Sequence, residues 1–378
     1  MTSATSGSQS LTMEAPTCKR RPLCEDLLDP DRIAALQECD QQLLSYDSKS
    51  FWLIFRLRGR NFGMITLPLT TLLLWDMFWG LLLLTAKDPW GVTPYIQSME
   101  NLITPVLMPV SFLMVFRLGR AAVRYWDARS AVGKMVEICR TTASSALIGC
   151  RRPTNHESGT PVEVEASKSK KRQQELAEDI IRWIAVFPLA VKNFLRPWEH
   201  ACNRSREVGE VLSLEDRDAF LNAKGDALFA PILVLNQIRQ LSYQMVYFNM
   251  DKSSPSNSIT EAVIAGTLFR QLNEEIDILT GAWGAMERIN ATPLPFVYVV
   301  HLRTFLLLYL LLWHVEAIAS SGWIAILPLQ LASWGLLGIE AAAVECERPF
   351  QRNSNHLALG KAGIVVARNL AQTWQNLG

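Results

Sequence analysis

Residues 287–298 read Glu-Arg-Ile-Asn-Ala-Thr-Pro-Leu-Pro-Phe-Val-Tyr and lead directly into an apolar stretch that ends near Val315. Pro293 and Pro295 have no N–H group, and each biases the residue before it away from helix. The backbone is therefore irregular at the point where the chain meets the hydrophobic layer of a membrane. Irregular backbone persists there only when it is buried in protein or lies beside water. This stretch therefore indicates a conduit or a binding cavity.

Four stretches of the chain are apolar enough to cross a bilayer core about 30 Å thick. They run from Phe62 to Ala86, from Asn101 to Phe116, from Thr292 to Val315 and from Ala317 to Ile339. The second is short and continues into basic residues, so we interpret it as a helix that leaves the membrane on its basic side. The 378 residues are thus predicted to form an all-α integral membrane protein, with four transmembrane helices and a helical cytoplasmic body.

The middle of the chain has helical rather than strand periodicity. Ser258-Ile-Thr-Glu261 is a capping box, Ser213-Leu-Glu-Asp216 is a second helix start, and a third helix is predicted from Glu175 to Phe194. The predicted divisions are a partly disordered N-terminal tail at 1–49, transmembrane helices 1 and 2 at 50–129, a helical cytoplasmic or stromal region at 130–288 with a disordered insertion at 153–170, transmembrane helices 3 and 4 at 289–346, and a C-terminal segment at 347–378.

Basic residues indicate the orientation. Several Lys and Arg residues flank the predicted spans on the side of the termini and the body, whereas the loop from Lys87 to Glu100 contains one Lys. The positive-inside bias places the termini and the body on the cytoplasmic side, or on the stromal or matrix side of an organelle. A multi-pass protein of the thylakoid, mitochondrial or plasma membrane fits equally well. The net charge of +1 gives no reason to expect a nucleic-acid partner.

Met108, Phe112 and Phe116 recur every four residues in the second span. At about 100° per residue they form one stripe, which we call the neck stripe. One interpretation is contact with lipid or another helix. The other is an apolar ring that narrows a pore and gates it by dewetting. Pro105 and Pro109 favour the second, because they should kink the helix and leave polar backbone facing water or an ion.

Arg117 and Arg120 follow the neck stripe directly. They could supply positive potential where an anion leaves the narrow part, or they could be interfacial residues that snorkel. A secondary anion transporter is the alternative function, since it would use broken helices and a buried charge such as Asp76 or Arg303. The chain has no Walker loop, His-Glu-x-x-His or Gly-x-Ser-x-Gly motif, so an enzyme is not predicted. His301 and His314 are interpreted as packing residues, and no metal site or cofactor is expected.

Three blocks of sequence resemble the bestrophin family of anion channels, in its plant, algal and bacterial branch. The first is Phe116-Arg117 followed by Arg124-Tyr-Trp-Asp-Ala-Arg129. The second is the opening stretch from Glu287 to Phe296, and the third is Glu347-Arg-Pro-Phe350 after the last span. The motif residues carried over from the last two blocks are Glu287, Arg288, Pro293, Pro295, Glu347, Pro349 and Phe350.

The resemblance implies a homopentamer around one central pore, whose neck is lined by Met108, Phe112 and Phe116. It implies passage of chloride and other monovalent anions, with bicarbonate as a further candidate cargo. A second constriction is expected within residues 231–245 of the body. Animal members bind calcium through an acidic run after the last motif. Here that run is Gln351-Arg-Asn-Ser-Asn-His-Leu357, so no calcium clasp is predicted.

Overall fold

A computed structural model of the chain describes residues 21–38, 40, 62–86, 88–150, 161–198, 201–221, 229–247, 258–353 and 355–377. These residues form helices and no strand, which confirms the predicted all-α class. The α-helices are α1 (Leu23–Leu27), α2 (Pro30–Glu38), α3 (Phe62–Gly80), α4 (Thr93–Ser98), α5 (Glu100–Ile103), α6 (Leu107–Cys150), α7 (Pro161–Leu195), α8 (Ala201–Val208), α9 (Leu214–Leu221), α10 (Phe229–Tyr247), α11 (Ser258–Ala291), α12 (Phe296–Ser321), α13 (Ile326–Glu347) and α14 (Leu359–Leu377). A π-helical turn follows α3 at Leu81–Thr85, and 3₁₀ turns lie at Thr104–Val106 and Gly322–Ala325.

Three helical stretches of the described chain are long and apolar enough to cross a membrane, namely Gly63–Thr85, Thr93–Gly149 and Phe296–Glu347. The third contains both α12 and α13, which are separated at Gly322, where φ is +67°. At 1.5 Å per residue, the 26 residues of α12 and the 22 of α13 extend about 39 Å and about 33 Å. Each is long enough to cross alone, and four crossings stay a prediction.

The second predicted span continues without interruption into the body. Helix α6 has 44 residues and a length of about 66 Å, so the predicted division between residues 129 and 130 falls inside one helix. The prediction that this span continues as a helix beyond Phe116 is confirmed, and the point at which it leaves the membrane stays a prediction. One continuous element therefore joins the neck stripe to the body.

Helix α7 begins earlier than its apolar pattern predicts. It starts at Pro161, so residues 161–170 are helical and the predicted disordered insertion at 153–170 is wrong for that part. Residues 151–160 lie outside the described ranges. The apolar second half of α7 is buried from Ile180 to Leu195 apart from half-buried Phe194. Once this half is packed, adding residues 161–170 to the same helix costs little free energy, because propagation of a helix is easier than its nucleation.

The other predicted helix starts are confirmed. Helix α11 begins at Ser258. At the start of α9 the Asp216 N–H donates to Ser213 Oγ at 3.2 Å, which is the contact of an N-cap residue.

Buried apolar side chains form a main core in the membrane layer, a small cluster of Ile318, Ala325 and Leu329 in the same layer, and a larger core in the body. The membrane core lies between α3, α6, α12 and α13 and consists of Ile65, Leu72, Ile103, Val110, Met114, Leu302, Leu306, Tyr309, Leu310, Leu337 and Ala341. The body core is centred on α7, whose middle is buried on all sides by α6, α10, α11 and α14.

Part of the predicted N-terminal tail is folded onto the body. Arg182 Nη1 of α7 donates to Asp26 Oδ2 of α1 at 2.6 Å, and both side chains are buried. Arg32 of α2 donates to the carbonyls of Leu27, Ala185 and Glu207. Burial lowers the pKa of the Arg32 guanidinium to about 10. Helices α1 and α2 are therefore part of the body, whereas residues 1–20 and 41–49 lie outside the described ranges.

A polar network is enclosed in the membrane layer. His314 Nδ1 of α12 lies 2.7 Å from Asp76 Oδ1 of α3, and His314 Nε2 lies 2.7 Å from Ser333 Oγ of α13. Gln330 Nε2 donates to Asp76 Oδ2 at 2.8 Å. Asp76, His314 and Ser333 are fully buried, so Asp76 faces the helix bundle and connects three of its helices.

Candidate pore-lining site

The N-terminal end of the second apolar stretch is interrupted before α6 begins. Pro105 lies in the 3₁₀ turn at Thr104–Val106, so the predicted break is present there. Pro109 lies in the first turn of α6, where a proline is tolerated because its N–H would have no partner within the helix. Pro109 therefore does not interrupt α6, and the break lies one turn earlier at Thr104–Val106.

The neck stripe faces away from the core of its own chain. Met108, Phe112 and Phe116 are 82%, 61% and 47% exposed, whereas Val110 and Met114 on the other side of α6 are buried in the membrane core. The Phe112 and Phe116 ring centroids are 4.5 Å apart, so the two rings form one continuous apolar surface. Such a surface must contact lipid or another copy of the chain, or must itself form the dewetted wall of a pore.

A groove of about 560 Å³ lies beside the stripe, and one basic side chain is part of its lining. It is lined by Phe112, Leu113, Phe116, Arg120, Leu294, Pro295 and Tyr298. Arg120 is exposed and is the next residue in the four-residue row that contains Phe112 and Phe116. The structure therefore places its charge about one helical turn beyond the last apolar ring.

Arg117 occupies a different environment from Arg120, and its predicted anion-attracting position is wrong. Its side chain is fully buried, with Nη2 2.7 Å from Glu347 Oε2 and Nε 3.3 Å from Glu340 Oε2. Two carboxylates neutralise the guanidinium, and little of its charge is left for an ion in the pore. The snorkelling alternative is wrong as well, because the guanidinium is directed into the protein.

A second arginine completes this ion-pair cluster. Arg303 Nε of α12 donates to Glu340 Oε1 at 2.8 Å, so Glu340 lies between Arg303 and Arg117. Glu340 stands in the sequence as a charge at the end of an apolar span. That placement alone suggests a buried pair, but not which of the arginines it pairs with.

The irregular segment at 292–295, which we call the proline segment, is held by Glu347, one of the two carboxylates that pair with Arg117. Leu294 N–H donates to Glu347 Oε1 at 3.2 Å. Arg124 of α6 donates to the carbonyls of Thr292 at 2.7 Å and Glu347 at 2.9 Å, and also to the carbonyl of Ile289. Residues from all three sequence blocks therefore meet at one junction beside the neck stripe.

The other motif residues lie around this junction. Glu287 and Arg288 are in the last turns of α11, and the Arg288 carbonyl accepts from Thr292 N–H at 3.1 Å. Pro293 and Pro295 are exposed in the proline segment. The Pro349 carbonyl accepts from Leu357 N–H at 2.8 Å.

Phe350 is buried in the body core, and its carbonyl accepts from Arg196 Nε at 2.7 Å. It therefore anchors the chain after α13 to α7. Among the described residues, no group of three His, Cys, Asp or Glu side chains is arranged to bind a metal ion. In the run after Phe350, His356 Nε2 lies 2.9 Å from Glu345 Oε2 of α13.

Residues 45–372 match the family model described as Bacterial/Fungal Bestrophin protein. The chain is 27% identical over 281 residues to a voltage-dependent anion channel-forming protein of Nostoc sp., covering 73% of this chain and 78% of the relative. A protein of the same description from Synechocystis sp. is 24% identical over 286 residues, covering 76% and 80%. A crystal structure of a bestrophin homologue from Klebsiella pneumoniae superposes with a TM-score of 0.60 at 18% identity, covering 82% of this chain and 98% of that one. At this level of identity the superposition shows a shared fold.

Proposed function

This chain belongs to the bacterial and fungal bestrophin family, and from that premise we propose that it forms an anion-selective channel in a membrane. The two cyanobacterial relatives are named as anion channel-forming proteins. The observation that carries the proposal is the exposed row of Met108, Phe112 and Phe116, which continues into exposed Arg120.

Several copies of the chain surround the pore. A row of large apolar side chains on one copy can enclose a passage only when copies are arranged around a shared axis. Five copies, as the family resemblance implies, would place three rings of Met108, Phe112 and Phe116 along the axis. The ring edges of phenylalanine are electropositive and can meet an anion, while the ring bodies exclude bulk water.

Arg120 provides the positive potential at the end of the neck. Its charge is exposed, whereas the charge of Arg117 is compensated by Glu340 and Glu347. A ring of exposed guanidinium groups favours anions over cations in the adjoining vestibule. Chloride and other monovalent anions are the proposed cargo, with bicarbonate as a further candidate.

A second narrow part is proposed in the body, within residues 231–245. These residues belong to α10, which exposes Ile232, Asn236, Gln240 and Tyr243 at intervals of three or four residues. Residues at this spacing lie on one face of a helix. That face is the candidate lining of the second constriction.

Single-channel recording of the purified protein in a planar bilayer tests the function. We expect resolved openings, with a reversal potential in a salt gradient that follows the anion, and a series with chloride, nitrate and bicarbonate ranks the cargo. A native mass equal to five chains is expected for the same preparation. A monomer, or a cation-following reversal potential, would contradict the proposal.

A secondary anion transporter is the second candidate, and one observation favours it. The buried Asp76–His314 pair is the kind of intramembrane ionisable group that proton-coupled carriers use. Carriers turn over too slowly to give resolved openings. Anion flux into vesicles without any single-channel event would therefore identify a transporter.

A further inference from the structure

The network of Asp76, His314, Ser333 and Gln330 is separate from the neck stripe and the Arg117 cluster. Three of its contacts are 2.7–2.8 Å long and join α3, α12 and α13. Asp76 and His314 are both 0% exposed. Ionisable residues inside a membrane layer are costly, and they are usually kept because they bind or move something.

Other charged groups lie on the described helices of this network and on the elements packed against them. The other charged or titratable described side chains on the elements packed against it are Tyr95 and Glu100 on α4 and α5; Tyr298, His301, Arg303, Tyr309 and Glu316 on α12; Glu340, Glu345, Cys346 and Glu347 on α13; and those of α6 from Arg117 onward. Glu316 accepts a hydrogen bond from Ser320 Oγ at 2.8 Å.

Arg303 and Glu340 carry the ion-pair cluster on α12 and α13, and both lie well away from the network along their helices. Arg303 lies eleven residues before His314, about 16 Å along α12, and Glu340 lies seven residues after Ser333, about 10 Å along α13. Arg303 and Arg117 both pair with Glu340. Among the described side chains, His314 is the basic group that contacts Asp76.

The hydrogen-bond partners of His314 allow two protonation states. With Asp76 as a carboxylate, which only accepts, His314 Nδ1 carries a proton toward it. Nε2 faces the Ser333 hydroxyl, which can donate to a neutral imidazole or accept from an imidazolium. Both states keep the His314 nitrogens and the Asp76 carboxylate paired. They differ by one proton and by a net charge of −1 or 0.

We propose that this network is a proton-binding site in the membrane layer, which exchanges one proton with solvent and connects three spans of the bundle. Binding of the proton removes a net negative charge from the bundle. Because such a charge opposes anions in a low-dielectric layer, anion current should rise as the pH falls. The binding of the proton does not depend on the proposed channel function, whereas its effect on current rests on that function.

A permanent structural tie would show the same contacts but would not titrate. Nuclear magnetic resonance of ¹⁵N-histidine in the reconstituted full-length protein separates the two, across about pH 5 to 8, where histidine side chains commonly change charge. The His314 signals, identified by their loss in His314→Gln, should change with pH in the wild type. In Asp76→Asn this pH-dependent change of the His314 signals should be absent or should occur at a different pH. His314 signals that do not move across the range would overturn the proposal.

Current recordings give the second readout. We expect the current of the wild type to increase toward acidic pH, and this response to be lost in Asp76→Asn and His314→Gln. Ser333→Ala should move the midpoint of the response, since Nε2 loses its partner. The matched controls are His301→Asn, an exposed histidine of the same helix that stacks on Phe305, and His356→Asn in the body.

The controls should retain the pH response of the wild type. An unchanged response in folded Asp76→Asn and His314→Gln would overturn the coupling to current. A protein without channel currents would contradict the proposed function, while the nuclear magnetic resonance titration still decides proton binding.

Discussion

Arg117 Nη2 of α6 lies 2.7 Å from Glu347 Oε2, and the two residues are 230 positions apart in the chain. The same carboxylate accepts the Leu294 N–H of the proline segment through its other oxygen. Glu347 therefore fixes the position of the irregular segment relative to the helix that carries the neck stripe. Neutralising one residue of this junction should therefore alter the neck stripe indirectly, by displacing the groups that hold it in place.

Arg117 and Arg120 provide a matched pair of substitutions. Arg117→Gln should lower the free energy of unfolding by about 3–5 kcal/mol, because it leaves two carboxylates without their buried partner. Arg120→Gln should leave the thermal unfolding midpoint unchanged and reduce the preference for anions over cations, measured by reversal potentials. A stable Arg117→Gln protein with altered selectivity would show instead that Arg117 faces the ion path.

Glu347→Gln should release the proline segment. The Leu294 amide then loses its charged acceptor, so its hydrogen exchange, followed by mass spectrometry, should accelerate relative to the wild type. Glu137→Gln is the control, since Glu137 is an exposed carboxylate on α6 that pairs with Lys134. Equal exchange at Leu294 in the Glu347 variant and the control would mean that the contact does not hold the segment.

Phe112→Ala and Phe116→Ala should each widen the neck and raise the anion current or reduce its gating. Removing one ring per subunit lowers the barrier that a dewetted constriction imposes. Leu331→Ala, an equally exposed apolar residue of α13, should leave the current unchanged. If all three variants behave alike in single-channel recordings, the stripe is in contact with lipid.

Asp26→Asn should detach the N-terminal helices from the body. Arg182 would keep Glu178 Oε1 at 2.7 Å and the Val211 carbonyl at 3.0 Å, so the loss should be near the lower end of the 3–5 kcal/mol that is typical of broken buried pairs, about 3 kcal/mol. Limited proteolysis should then cut near residues 21–38 first. The exposed neighbour Glu25 supplies the control Glu25→Gln, for which no change in the cleavage pattern is expected.

Local patterns in the sequence were enough to predict the helical class, the apolar stretches and the neck stripe. The recurrence of Met108, Phe112 and Phe116 every four residues determines that they share one face of a helix, whatever that face contacts. The start of α9 at Ser213 could also be predicted from local sequence, since a capping side chain bonds within the first turn of its own helix.

Contacts between distant residues could not be predicted in this way. Arg117 and Arg120 have the same residue type and similar neighbours, and only the arrival of Glu340 and Glu347 from α13 separates their roles. The contact of Asp76 with His314 likewise spans 238 positions. The polar residues 161–170 looked disordered on composition, yet they extend a helix whose packed half lies downstream.

The unbroken course of α6 has a mechanical consequence. If α6, about 66 Å long, tilts as a rigid unit, its far end moves by about 1 Å for each degree. A small lateral push on the body near Cys150 would therefore displace the phenylalanine rings by a distance comparable with the radius of a small ion. In the proposed channel, leverage of this kind would let an event in the body alter the width of the passage without any binding partner reaching it.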